Sequence, residues 1–121
     1  MTLRQFPGRD REHHVIDTPA LGWQAGSVEG IAYKPLYARA GFSNSTRLER
    51  REAGTSTGSV EYPEGAGFYV LAGEWADDQA VYAAGTWLRF PVGGIHEPLS
   101  SPGCTLYAKH GGLAYLRGAD D

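Results

Sequence analysis

The spacing of glycine and proline most limits what this chain can fold into. Seventeen glycines and seven prolines among 121 residues cut the sequence into short runs, and tyrosine and tryptophan are plentiful in them. That mixture fits a turn-rich β fold better than a helix bundle. No segment carries a sustained helical period. Strands are expected at 15–18, 31–37, 46–52, 60–62, 68–75, 80–82, 86–90 and 104–109. Pro35 argues for an edge or a bulge in its strand. The run from Phe68 to Trp75 is apolar enough to suggest burial on both faces. Leu21 to Gln24 reads as a loop with Trp23 as a buried anchor. Many short strands at regular spacing imply a sandwich or a barrel.

One domain is expected, with residues 1–14 as a polar arm that pairs onto an edge and 15–121 as the barrel. The formal net charge is −3, so there is no basic excess to follow a phosphate backbone, and nucleic acid is not an expected partner. No apolar run is long enough to span a bilayer, and no apolar segment near the N-terminus reads as a signal peptide. A single cysteine, Cys104, allows no internal disulfide, and the default location is cytoplasmic.

One segment is specific. From Gly85 to His96 the chain reads glycine, five residues, proline, one residue, glycine, two residues, histidine. A strand ends at Pro91, reverses through Gly93 and Gly94, and re-enters pointing an imidazole inward. The two glycines are expected to permit positive φ. This spacing resembles the second motif of the cupin superfamily. Ala84–Arg89 before it and Pro102–Lys109 after it are similar to the cupin domain of ChrR-type anti-sigma factors. Asp17–Trp23 and Lys34–Tyr37 resemble that family's opening strands. The resemblance covers roughly residues 15 to 110. It implies a single all-β domain, a cupin-type double-stranded jelly-roll barrel. It also implies a sensor domain that binds zinc, with relatives that are iron or nickel oxygenases and isomerases. A complete anti-sigma factor of that type has a further helical, zinc-binding N-terminal domain. This chain is expected to lack one and not to sequester a sigma factor by that route.

The family's metal ligands do not carry over. With the first motif placed on Gly73, its two histidines fall on Val60 and Tyr62 and its glutamate falls on Ala66. Only His96 keeps its residue. A first-row metal needs three or four inward donors, and Val60 and Ala66 supply none. No cofactor is therefore expected. The alternative is zinc, iron or nickel on an improvised set of His96, Glu64 and Tyr62. Glu61 should face outward if its neighbours face inward.

A second departure lies in the strand at 46–52. Alternation points Arg47, Glu49 and Arg51 toward the interior, where charges must be paired or serve a ligand. They either form a pocket suited to an anionic or polyoxygenated small molecule, or a salt-bridged ladder on the barrel rim or at a dimer interface. The ligand-binding candidates are Arg47, Glu49, Arg51, Glu64 and Phe68. Tyr62 and His96 are the catalytic candidates, a proton-transfer pair from facing strands. His96 otherwise remains as a relic or orients a ligand. His110 could point inward and join His96. His13 and His14 resemble a metal pair but point apart on an extended arm. Cys104 is expected to be buried and inert.

Three functions follow. The first is a small-molecule-binding cupin without the usual metal, sensory or accessory in role. The second is a metal-dependent enzyme such as a dioxygenase with an atypical ligand set. The third is a metal-free lyase, isomerase or cyclase using His96 and Tyr62. Whether the protein is an enzyme is left open. The expected partners are a small molecule and a second copy of the chain, with no nucleic acid and no membrane.

Overall fold

The computed structural model describes residues 15–38, 45–100 and 102–111. Eleven strands account for most of them, in the order β1 (Gln24–Ala25), β2 (Ile31–Ala38), β3 (Ser45–Arg51), β4 (Thr55–Ser56), β5 (Val60–Tyr62), β6 (Ala66–Ala76), β7 (Val81–Ala83), β8 (Trp87–Phe90), β9 (Gly94–His96), β10 (Leu99–Ser100) and β11 (Cys104–His110). Every strand pairing among the described residues is antiparallel. The main sheet runs β1-β2-β3-β11-β6-β10-β4, with β7 and β8 also paired to β6, while β5 and β9 pair separately.

The eleven-residue β6 curls the sheet. Its first half pairs with β11 and β8, and its second half pairs with β7 and β10. The bend sits at Gly73, whose φ is +74°, beside a register shift between Thr105 and Leu106. A left-handed residue and a bulge together turn a strand from one layer into the next. At Gly73 a Cβ would also collide with the carbonyl oxygen of Gly103 and approach Cys104 Cα to 2.9 Å, so side chains are excluded there on two grounds.

The concave side of this sheet is the core. Phe68, Val70, Trp75, Leu106, Ala66 and Ala108 are completely buried, with Tyr62 and Cys104 almost so, and Val60, Tyr82, Leu88 and Phe90 pack against them. Burying a side chain the size of Phe68 contributes about 1.5–3 kcal/mol. β6 is not buried on both faces as its apolar run suggests. Tyr69 and Leu71 are 38% and 45% exposed, because alternation turns them to the convex side. There Trp87, Tyr69, Tyr107 and Leu48 stand in one cross-strand row.

Other expectations need correction. Residues 15–18 form no strand. Val15 is exposed, and Thr18–Ala20 is a 3₁₀ turn with Pro19 in its first positions, since proline fixes φ for a turn and removes a ladder donor. Trp23 is half-buried rather than an anchor. It lies under two cations, Lys34 Nζ at 4.8 Å and Arg50 Cζ at 4.5 Å from its ring centre, and such contacts hold the ring by its face. Of Gly93 and Gly94, only Gly93 takes a positive φ, +80°. Pro35 does mark a bulge, in the register shift between Pro35 and Tyr37. The arm at 1–14, with His13 and His14, lies outside the described residues. No helix among the described residues is long and apolar enough to cross a membrane.

Candidate functional site

Two polar clusters interrupt the apolar interior. The first comes from β3. Its alternation turns Arg47, Glu49 and Arg51 inward, opposite Ala108, Leu106 and Cys104 of β11. Glu49 is fully buried. Arg51 donates to Glu49 Oε1 from Nη2 at 2.9 Å and from Nε at 3.3 Å. Arg47 approaches Oε2 at 2.7 Å from Nη2 and 2.8 Å from Nε. His110, at the end of β11, reaches the same oxygen at 3.5 Å. Burial by itself would raise the Glu49 pKa. The His110 contact and the charges of Arg51 and Arg47 outweigh it and hold the carboxyl at about 2. The guanidinium contacts are the shorter and firmer holds. Two guanidiniums against one carboxylate leave a positive balance. Its outlet is at Arg47 and His110, whose side chains are 33% and 31% exposed. The other cation, Arg51, is covered by the Trp75 ring at 5.1 Å. Arg47 is held from its other side by the Tyr33 ring at 4.8 Å.

The second cluster comes from the β5–β9 pair. Val60 stands opposite His96, and Tyr62 opposite Gly94, so Val60, Tyr62 and His96 share one face. Glu61 and Ile95 share the other and are exposed. Tyr62 Oη lies 3.4 Å from His96 Nδ1. His96 Nε2 lies 2.9 Å from Asp77 Oδ2, in the turn between β6 and β7. The same Asp77 oxygen accepts from the Tyr82 hydroxyl at 2.9 Å, and Oδ1 accepts from the Gln79 and Ala80 amides at 2.8 and 3.0 Å. Burial would raise the Asp77 pKa, but these donors bring it below the usual range. Phe90 packs along the imidazole at 4.5 Å between ring centres, and Trp75 meets it edge-on at 5.2 Å. Burial pushes the Tyr62 phenol up to about 12, with the Arg51 charge opposing. Asp77 is the residue that sequence reasoning missed. Asp77-Asp78 reads locally as a turn signal, and Oδ1 does serve the turn.

A cleft of about 290 Å³ opens between the clusters, lined by Val60, Tyr62, Pro63, Glu64, Gly65 and His110 among others. His110 points inward but bonds Glu49 rather than joining His96. Its ring also lies 6.2 Å from that of Tyr62 and 5.5 Å from that of Phe68. Phe68 is sealed beneath as core. Glu64 stays exposed on the rim of this cleft. A larger cleft of about 380 Å³ lies beside the β6 bend at Arg50, Gly73 and Gly103. Neither Tyr62 nor His96 lines it. Cys104 is buried, and burial raises its thiol pKa.

The metal implied by the resemblance does not fit these donors. Both ring nitrogens of His96 are engaged, Tyr62 keeps its proton up to about 12, and Val60 and Ala66 have no donor atom. Among the described residues, no three His, Cys, Asp or Glu side chains are grouped to share an ion.

Comparison with known proteins places the fold. A chain from the Rhodobacter sphaeroides complex of SigE with the anti-sigma ChrR is 19% identical, with TM-score 0.63; the alignment covers 75% of this chain and 50% of that one. An RmlC-like cupin from Ralstonia eutropha is 17% identical, with TM-score 0.71 and coverage of 81% and 68%. An acetylacetone dioxygenase from Acinetobacter johnsonii is 14% identical, with TM-score 0.67 and coverage of 84% and 74%. At these identities the likeness establishes the cupin barrel and nothing finer. No curated protein sequence matches the chain significantly. The family model described as the ChrR cupin-like domain matches residues 11–114, and the chain belongs to that family.

Proposed function

We propose that this protein is a small-molecule-binding cupin that works without the metal of its relatives, in a sensory or accessory role. The ligand enters the cleft between Tyr62 and His110 and sets an anionic or polyoxygenated group against Arg47 and His110. The single observation behind this reading is the Glu49 network. Glu49 is fully buried between two guanidiniums, and the more exposed side of the network lies at Arg47 and at His110, which lines the cleft. Arginine in such a frame is suited to planar carboxylates. The proposed location is the cytoplasm. The proposed macromolecular partner is a second copy of the chain, met through the convex row of Trp87, Tyr69 and Tyr107.

Two measurements test the metal and the ligand. Elemental analysis of dialysed protein should find no stoichiometric zinc, iron or nickel; a metal lost in His96→Ala would overturn the metal-free reading. Calorimetric titration with D-gluconate should show saturable binding that is lost in Arg47→Ala. Binding unchanged by that substitution would remove the anion site.

A second reading is favoured by one specific contact, that of Tyr62 with His96. Such a pair suits acid–base work in a lyase, isomerase or cyclase. Turnover that is abolished in both Tyr62→Phe and His96→Gln, with binding retained, is the outcome that selects it.

A further inference from the structure

We propose that Asp77 is a positioning residue that fixes the tautomer of His96, and that it thereby presents Tyr62 to the cleft as a hydrogen-bond acceptor. The ligand class that follows bears a hydroxyl donor beside its anionic group. This rests on the binding site proposed above and names the ligand class for it.

The argument follows the direction of each hydrogen bond. Asp77 is a carboxylate with three donors already fixed on it: the amides of Gln79 and Ala80 on Oδ1 and the Tyr82 hydroxyl on Oδ2. An ionised carboxylate only accepts. The 2.9 Å contact to His96 Nε2 therefore requires the proton on Nε2. In the neutral ring, the bare nitrogen is then Nδ1, which faces the Tyr62 hydroxyl at 3.4 Å. Tyr62 must be the donor in that contact. Once its hydrogen is committed to His96, what remains on the phenol oxygen is lone-pair capacity.

The Asp77 and His96 side chains are 6% and 5% exposed, so bulk water does not scramble the arrangement. Phe90 and Trp75 fix the plane of the imidazole. Polarity thus runs one way, from the cleft through Tyr62 and His96 to Asp77. A ligand hydroxyl continues the chain, whereas a carbonyl or ether oxygen at the same place would meet lone pairs. His110 lines the cleft with Tyr62 and shares the Glu49 Oε2 atom with Arg47, so a guanidinium stands one contact behind the cleft wall, and an acceptor with a cation behind it points to the hydroxylated carboxylate class.

The test uses the full chain labelled with ¹⁵N at histidine, at alkaline pH where imidazoles are neutral. Two-bond ¹H–¹⁵N correlation should identify His96 Nε2 as the protonated nitrogen and Nδ1 as the bare one. A wild-type His96 protonated on Nδ1 overturns the proposal. Asp77→Asn should move the proton to Nδ1, because an amide nitrogen can donate to Nε2; an unchanged tautomer in a folded variant overturns it as well. Should that variant fail to fold, Tyr62→Phe decides: the Nδ1 resonance should shift and Nε2 should not, and an unmoved Nδ1 refutes the chain. Calorimetry with D-gluconate and hexanoate then reads the selectivity. Gluconate should bind in preference, and Tyr62→Phe should weaken gluconate roughly fivefold, as expected for one hydrogen bond, while leaving hexanoate unchanged. Equal loss for both ligands overturns the acceptor assignment. Absence of binding by either overturns the ligand class and the binding site on which it rests, whereas the tautomer result is read independently of them.

Discussion

Replacing Glu49 by glutamine tests the most consequential packing decision in the barrel. The carboxylate is fully buried and takes both guanidiniums on opposite oxygens. An amide can accept on one side only, and its nitrogen then faces the second guanidinium as donor against donor. Removing one partner of a buried ion pair costs about 3–5 kcal/mol, because the other charge is left unpaired. The titration argument gives a similar figure. A shift from 4.5 to about 2 corresponds to about 3 kcal/mol at about 1.4 kcal/mol per pH unit. The folded pKa is depressed, so this stability is present above the unfolded value of 4.5 and is lost as pH falls toward about 2. Urea unfolding followed by tryptophan fluorescence provides the assay, with the Trp75 ring 5.1 Å from Arg51 Cζ. Near neutral pH, Glu49→Gln should lose about 3 kcal/mol, which lowers Tm by about 10 °C or more. Its stability should also lack the acid slope that Glu49 gives the wild type. Replacing Glu49 and Arg51 together by methionine should recover much of the loss. A Glu49→Gln protein within about 1 kcal/mol of wild type, with the same acid slope, would refute the reasoning.

Three further outcomes follow from the same geometry. In alkaline spectrophotometric titration, Tyr62→Phe should remove the phase at about 12. Because that folded pKa is raised, wild-type stability should fall as pH rises from 10.0 toward about 12. Gly73→Ala should cost at least about 2 kcal/mol in urea unfolding, since the left-handed φ is strained for alanine and the obstructing atoms are backbone; a neutral effect would show that the bend can relax. Gly67→Ala should cost less than about 1 kcal/mol, because the atoms its Cβ would strike belong to the half-exposed Trp87 ring. A red shift in Trp87 fluorescence should accompany it, and an unchanged spectrum would place that ring elsewhere.

Several parts of this protein are written locally. The strand positions follow from residue type and turn punctuation, and Ser45–Arg51 and Cys104–His110 lie within a residue or so of where the pattern puts them. The inward direction of Arg47, Glu49 and Arg51 needs only the two-residue period of a strand. The outward direction of Glu61 is legible for the same reason. Residues 15–18 misled because strand propensity says nothing about whether a partner edge exists, and here Pro19 takes the chain into a turn.

Residue type at a fixed local spacing determined the β class and the Gly85–His96 turn, and the barrel came with the resemblance to the cupin family. Tertiary structure alone decided which charges meet. His110 stands 61 residues from Glu49, and Asp77 stands 19 residues from His96; no local pattern relates such positions. Asp77 is the clearest case. One of its oxygens caps the turn that its sequence announces, while the other is carried to His96 by the bend of β6 and the pairing of β5 with β9. Hydrogen bonds of that second kind depend on strand register, and register is set only when the whole sheet closes over its core.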